Sequence, residues 1–310
     1  MKKMLAVLFA ALLLMAGFAS AEEVEPTVYF TENWAYILLE DGTAEIVGHN
    51  SGATTLIVPG EIDGHMVTRI GVDTFNHCTS MTSITLPDSL CSIGAPVFTR
   101  CTKLTDIIVS PDHPTLATIN GVLFEKSEKR LVCYPRASDA NSYTVPQGIR
   151  IIGDSAFSGC ESLTSITLPD SLISIGDDAF YECSSLTNIN LPDSITTIGD
   201  DAFYKCSSLT SIALPASLTT IGEGAFSYCF SLTSITLPDS IASIGARAFC
   251  RCKALTSITL PASITSIGDE AFSGCRSLTL TIPRDSWLVQ WCKDNNLRYT
   301  YPDSLDWLLE

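Results

Sequence analysis

Cysteines, histidines and paired acids are the residues of this sequence with chemistry to offer. There are twelve cysteines, and Cys160, Cys183, Cys206, Cys229, Cys252 and Cys275 recur with a period of 23, a step that Cys78 and Cys101 keep upstream. A structural metal site needs four converging ligands. The sequence offers Cys250-Arg251-Cys252 but no Cys-x-x-Cys, and no histidine at partner spacing, so no metal and no other cofactor is expected. The four histidines, His49, His65, His77 and His113, all lie in the first third of the chain. Motifs for zinc proteolysis, a nucleophile elbow or a phosphate loop are missing. His77 beside Cys78 could in principle pair nucleophile with base, but neighbours in sequence usually point apart, and nothing orients such a base. The acid pairs Asp177-Asp178 and Asp200-Asp201 recur at one place in a repeat, which assigns them to turns or caps. No catalytic residue is expected, and the sequence reads as a non-enzyme.

What must position these residues is a repeat. An Ile-Gly-x-x-x-Phe core occurs eight times, ending at Phe75, Phe98, Phe157, Phe180, Phe203, Phe226, Phe249 and Phe272. A fixed short period of this kind predicts a solenoid, because no single turn can bury its own Leu, Ile and Phe. Leu163, Ile166 and Leu168 alternate up to Pro169, predicting one short parallel strand per turn closed by a residue without a donor. Leu172 and Ile175 point inward on the return. Gly176 is expected where the chain bends sharply or takes a positive φ. Asp177 and Asp178 before Ala179 and Phe180 suit the start of a short helical turn. The class is α/β, β-rich.

The cysteine ladder argues against a disulfide framework. Stacked equivalent residues stand about 4.8 Å apart with parallel Cβ vectors, beyond the Cβ separation of a disulfide. The ladder cysteines are therefore expected to be free and buried, while Cys91, Cys133, Cys250 and Cys292 lie off the ladder and stay open to pairing.

Two segments break the period. The stretch from Cys101 to Cys160 is longer than two repeats and shorter than three. Apolar runs on either side of Glu125 to Arg130 predict a hairpin bulging from the solenoid, either a plain elongated turn or a contact site near His113, Tyr134 and Arg136. Beyond Cys275, Ser286 to Asn295 reads as a short amphipathic helix whose Trp287, Leu288 and Trp291 cover the open end of the core. The expected order is a signal segment 1–21, an N-terminal cap 22–55, repeats 56–101, an insertion 102–146, repeats 147–279 and a C-terminal cap 280–310.

Address and partners follow from charge. Lys2 and Lys3, an apolar run from Met4 to Gly17 and small residues before Glu22 predict a secretory signal cut after Ala21. That run is short of a membrane span, so the mature chain is expected to be secreted or on the cell surface without inserting in a membrane. A net charge of −16 disfavours nucleic acid. A monomer is favoured.

The Leu-x-x-Ile-x-Leu-Pro-x-x-Leu-x-x-Ile-Gly-x-x-Ala-Phe-x-x-Cys repeat resembles the leucine-rich repeat of BspA-like bacterial surface proteins, across nearly all of the chain after residue 21. The resemblance implies a leucine-rich-repeat solenoid that binds or adheres to a protein or glycan on a host or cell surface. Other readings are an envelope protein binding a partner of its own cell and a carbohydrate-targeting module. Two faces are candidate binding surfaces. The strand positions between core residues, Ser165, Thr167, Asn188, Asn190, Ser234, Thr236, Ser257 and Thr259, form either a solvated β-surface or a polar platform. The column after each Phe varies while the framework holds, and contributes Tyr181, Tyr204, Tyr228 and Arg251.

Overall fold

The computed structural model describes residues 26–50 and 52–302. The expected signal segment, residues 1–21, lies outside the described residues. The protein is a β-solenoid of about 11 turns. In a representative turn, the strand Ser165–Thr167 pairs in parallel with Ser142–Thr144 before it and Asn188–Ile189 after it, each one repeat period away. Ile166 points into the core while Thr167 is exposed, as the pleat requires.

The turns from Ile151 to Ile267 each carry a second, two-residue strand in addition to the expected one. Ser174–Ile175 pairs with Ile151–Ile152 and with Thr197–Ile198. A serine two residues after the strand proline ties the connecting segment to the same segment of the turn before. Ser171 Oγ donates to Ile149 O at 2.7 Å, and Ser240 Oγ to Leu218 O at 2.6 Å.

The third side of the turn is not the short helix that the acids suggest. Asp178, Phe180 and Glu182 donate their backbone N–H groups to Asp200 O, Ala202 O and Tyr204 O of the next turn, each at 2.8 Å. Asp178 and Glu182 hold φ values of 54° and 57°. Left-handed residues between ordinary ones aim alternate amides along the solenoid axis, so this side too is hydrogen-bonded from turn to turn. The acid pairs serve the backbone: Asp177 Oδ1 accepts from Asp200 N at 2.8 Å, and Asp154 Oδ1 from Asp177 N at 3.0 Å.

Gly176 and Gly199 do not take a positive φ. They are required by close approach. A Cβ on Gly199 would lie 2.6 Å from Gly176 C and from Asp177 N.

The core is a column of stacked rings. Phe157, Phe180, Phe203, Phe226 and Phe249 are fully buried, and successive centroids from Phe157 to Phe272 are 5.1–5.5 Å apart, with planes within 9° of parallel. Beside it runs the cysteine ladder. Cys183, Cys206, Cys229, Cys252 and Cys275 each place Sγ 2.9–3.2 Å from the carbonyl of a Phe one turn back. All twelve cysteines are free, including Cys91, Cys133, Cys250 and Cys292.

The segment after Cys101 lies in line with the solenoid. Leu116–Ile119, Val122–Glu125 and Arg130–Cys133 form an antiparallel meander, and the last of these pairs in parallel with Ile151–Ile152. Its residues serve two cores: Leu123, Val132 and Cys133 pack with the N-terminal turns, and Val122, Phe124, Leu131 and Tyr134 with the C-terminal ones. Tyr134 stands one repeat period before Phe157 and stacks on it at 5.2 Å, filling the ring position of a Phe.

At the far end, helix α1 (Trp287–Asp294) buries Leu288 and Cys292. Trp291 meets Phe272 edge-on at 6.1 Å and closes the ring column, whereas Trp287 remains 44% exposed. Ser286 makes no side-chain cap; its Oγ donates to Pro283 O at 2.8 Å. The strand Arg298–Thr300 then adds a last row beside Thr279–Thr281.

Candidate functional site

The turn side of the solenoid gathers the features an interface uses. Tyr181 and Tyr204 hold the position after the buried Phe in consecutive turns, so the repeat brings their rings together, 4.9 Å apart and 7° from parallel. In the next turn that position is Ser227, which is buried, and the tyrosine is displaced by one residue to Tyr228. Tyr228 takes a φ of 61° and swings its ring to 5.2 Å from Tyr204. Phe230 meets Tyr228 edge-on at 5.8 Å and is 38% exposed. Four rings thus form a continuous ridge across three turns.

Cations line this ridge. Lys205 Nζ lies 5.4 Å from the Tyr204 centroid, Arg251 Cζ 5.2 Å from that of Tyr228, and Lys253 Nζ 4.6 Å from that of Phe230. At these distances the ring quadrupoles attract the positive groups. Lys205 also reaches Glu182 Oε1 at 2.7 Å, a bond that holds its ammonium above the usual lysine range. Partial burial pushes the Tyr181 and Tyr204 phenols up, so both are neutral donors at physiological pH. Three cations on one ridge stand out against a chain with 34 acids and 18 bases.

Of the residues expected from sequence, Tyr181, Tyr204, Tyr228 and Arg251 meet here. Lys205, from the same column two residues after the Phe, joins them, and Phe230 and Lys253, from a position the repeat did not single out, complete the ridge. The signal was present, since the position after the ladder cysteine is serine at Ser184 and Ser207 but Phe230 and then Lys253. The strand-face set lies apart from them on another side. Ser165 is half-buried, and Thr167, Asn188, Asn190, Ser234, Thr236, Ser257 and Thr259 are exposed, in a row without aromatic rings.

The three residues of the possible contact site near the insertion are engaged within the fold. His113 is fully buried: Thr115 N and Leu116 N donate to its Nδ1 at 3.2 and 3.1 Å, which leaves the ring proton on Nε2 to be donated to Pro87 O at 3.0 Å. Tyr134 is taken up by the ring column, and Arg136 pairs with Glu161 at 2.9 Å. His77 does not hydrogen-bond its neighbour Cys78. Its Nε2 lies 3.1 Å from Arg100 Nη1, and Cys78 instead meets His49. Among the described residues no group of three or more His, Cys, Asp or Glu is placed to hold a metal ion, and no helix is long and apolar enough to cross a membrane.

Comparisons with known proteins bear on most of the chain. A family model described as BspA type leucine rich repeat region (6 copies) matches residues 61–135, 132–255 and 219–288. The crystal structure of the pneumococcal vaccine antigen PcpA superposes with a TM-score of 0.61 at 16% identity, covering 90% of this chain and 99% of that one, a likeness of fold. A leucine-rich repeat protein of T. pallidum is 26% identical over 89% of this chain and 98% of its own, with a TM-score of 0.42. No curated protein matches.

Proposed function

The chain belongs to the BspA-type leucine-rich repeat family, and on that premise we propose that it is an exported, non-enzymatic module that binds a protein on a host or cell surface. Its partner docks on the ridge of Tyr181, Tyr204, Tyr228 and Phe230. Export rests on Lys2, Lys3, the apolar run that follows and the cut after Ala21.

The observation that carries this reading is the ridge of half-buried tyrosine rings, ending at the exposed Phe230, with Lys205, Arg251 and Lys253 along it. Tyrosine and arginine dominate the energetics of protein interfaces, because a rigid amphipathic ring buries a large area at small entropic cost. The same geometry favours a protein over a glycan. Tyr181 and Tyr204 cover one face of each other, and Tyr228 and Lys205 crowd Tyr204 further, whereas a sugar stacks on an open ring face. The cations suit a partner segment that sets carboxylates beside apolar groups.

The test is binding of the protein without residues 1–21 to an immobilised panel of matrix proteins, mucins and polysaccharides at two salt concentrations. Saturable binding to one protein class is expected, weakened about tenfold or more by Tyr204→Ala or Arg251→Ala and unchanged by Thr236→Ala with Thr259→Ala. Binding only to polysaccharide, or loss confined to the strand-face variant, would overturn the assignment of the ridge.

A further inference from the structure

At the N-terminal end of the cysteine ladder the bonding changes. The ladder thiols from Cys183 onward each have the carbonyl of a Phe one turn back as acceptor, and Cys101 Sγ likewise lies 3.0 Å from Phe75 O. Cys78 is the first rung, and no such Phe precedes it. Its Sγ lies 3.9 Å from Asn76 O, too long for a useful bond, and 2.8 Å from His49 Nε2. At the N-terminus Val28–Phe30, Trp34–Leu38 and Ala44–His49 form a second antiparallel meander, and His49, which ends it, is wedged between Trp34 at 6.1 Å and Phe75 at 5.5 Å. This packing fixes a base on a nucleophile, the arrangement that activates thiols. Cys78 is also only partly buried, whereas every other ladder cysteine is buried.

We propose that Cys78 is a thiol-exchange site, at which a small disulfide of the cystine class is captured as a mixed disulfide with His49 handling the proton. His49 holds the Cys78 proton. The thiolate attacks one sulfur of the disulfide, a new S–S bond forms to Cys78 Sγ, and the original S–S bond breaks with its electron pair leaving on the distal sulfur. The His49 imidazolium then protonates that leaving thiolate. One disulfide is consumed, one mixed disulfide and one thiol are formed, and no other oxidant is needed.

Electrostatics agree with the geometry. The groups facing Cys78 are Cys101, His49 and His77, the last with the Arg100 guanidinium on its ring. A Cys101 proton shared toward Cys78, followed by the His49 bond and the histidine charges, outweighs burial and brings the Cys78 thiol from 9.0 down to about 5. The Cys101 thiol moves far in the opposite direction, because it keeps the proton that the pair shares. Burial raises Cys133, Cys160, Cys183, Cys206 and Cys229, which leaves them protonated.

The experiment follows the reaction of the folded full chain, carrying Cys91→Ser to remove the exposed thiol, with dipyridyl disulfide between pH 4 and 10. Released thione gives the rate, and peptide mapping gives the site. One adduct at Cys78 is expected, with a rate that levels off above about pH 6. At pH 6 the folded protein should react roughly eightfold faster per thiol than the same protein in urea. That factor sets a far larger thiolate fraction against the lower nucleophilicity of a weakly basic thiolate, taking ~8.5 for a free thiol and a Brønsted slope of about 0.45. His49→Gln should move the midpoint of the profile upward. A midpoint near that of a free thiol in the unsubstituted profile, or an adduct on a ladder cysteine other than Cys78, would overturn the proposal, and neither depends on a variant that must fold.

Discussion

Replacing Phe203 by Leu tests the ring column most directly. Phe203 is fully buried, with Phe180 at 5.2 Å and 6° on one side and Phe226 at 5.4 Å and 2° on the other. Leucine keeps the site apolar and loses both stacked contacts. Each aromatic pair contributes about 1 kcal/mol beyond the area it buries, and the imperfect refill adds about another, for a total near 3 kcal/mol. In a solenoid each turn touches only its neighbours, so the loss falls on two interfaces at once. A double-mutant cycle isolates the pair. Phe180→Leu and Phe203→Leu, alone and together, are compared by urea unfolding at constant m. The two single costs should sum to more than the cost of the double variant, by a coupling energy of about 1 kcal/mol. Strict additivity, or a cost for Phe203→Leu below about 1 kcal/mol, would refute the claim that ring stacking couples the turns.

Two further outcomes are expected. Burial first, and then the charges of Asp201, Asp177, Asp154 and Asp200, push the Asp178 carboxyl from 3.8 up to about 6. Its folded value lies above the unfolded one, so the folded state holds the extra proton between those two values, and stability from this group falls as pH rises through that window. Asp178→Asn should therefore stabilise the protein at pH 7 by about 1 kcal/mol, after allowance for solvent at a half-exposed carboxyl, and give nothing at pH 3.5. An equal gain at both pH values in chemical denaturation would contradict the electrostatic origin. Gly199→Ala forces a Cβ to within 2.6 Å of Gly176 C; a cost of about 2 kcal/mol is expected, read as a fall in Tm of roughly 5 °C. An unchanged Tm would mean that the turns are not in contact there.

Much of this protein is written at one period. The constant step, the inward Ile and Leu positions, the Phe and the ladder cysteine were all legible, because each is a local choice repeated until a neighbour of the same kind is guaranteed. The expectation that ladder thiols stay unpaired followed from that spacing alone, and all twelve cysteines are free. Tyr181, Tyr204, Tyr228 and Arg251 were visible as variation against a constant frame. Where the sequence reading fell short, the deciding partner lay one turn away. Gly176 is glycine because the backbone of the turn before it leaves no room for a Cβ, and Asp178 takes a left-handed φ because its amide donates to Asp200 O. The segment around Tyr134 looked like an interruption, since its antiparallel strands lack the repeat motif; only stacking on Phe157 reveals that it keeps the ring column continuous. His49 and Cys78 lie in different repeats and share no motif, yet the end of the ladder leaves a thiol without its carbonyl, and the adjoining meander supplies an imidazole in its place. A repeat determines its own interior by translation, whereas its ends and breaks, where translation stops, are decided by whatever the rest of the chain brings against them.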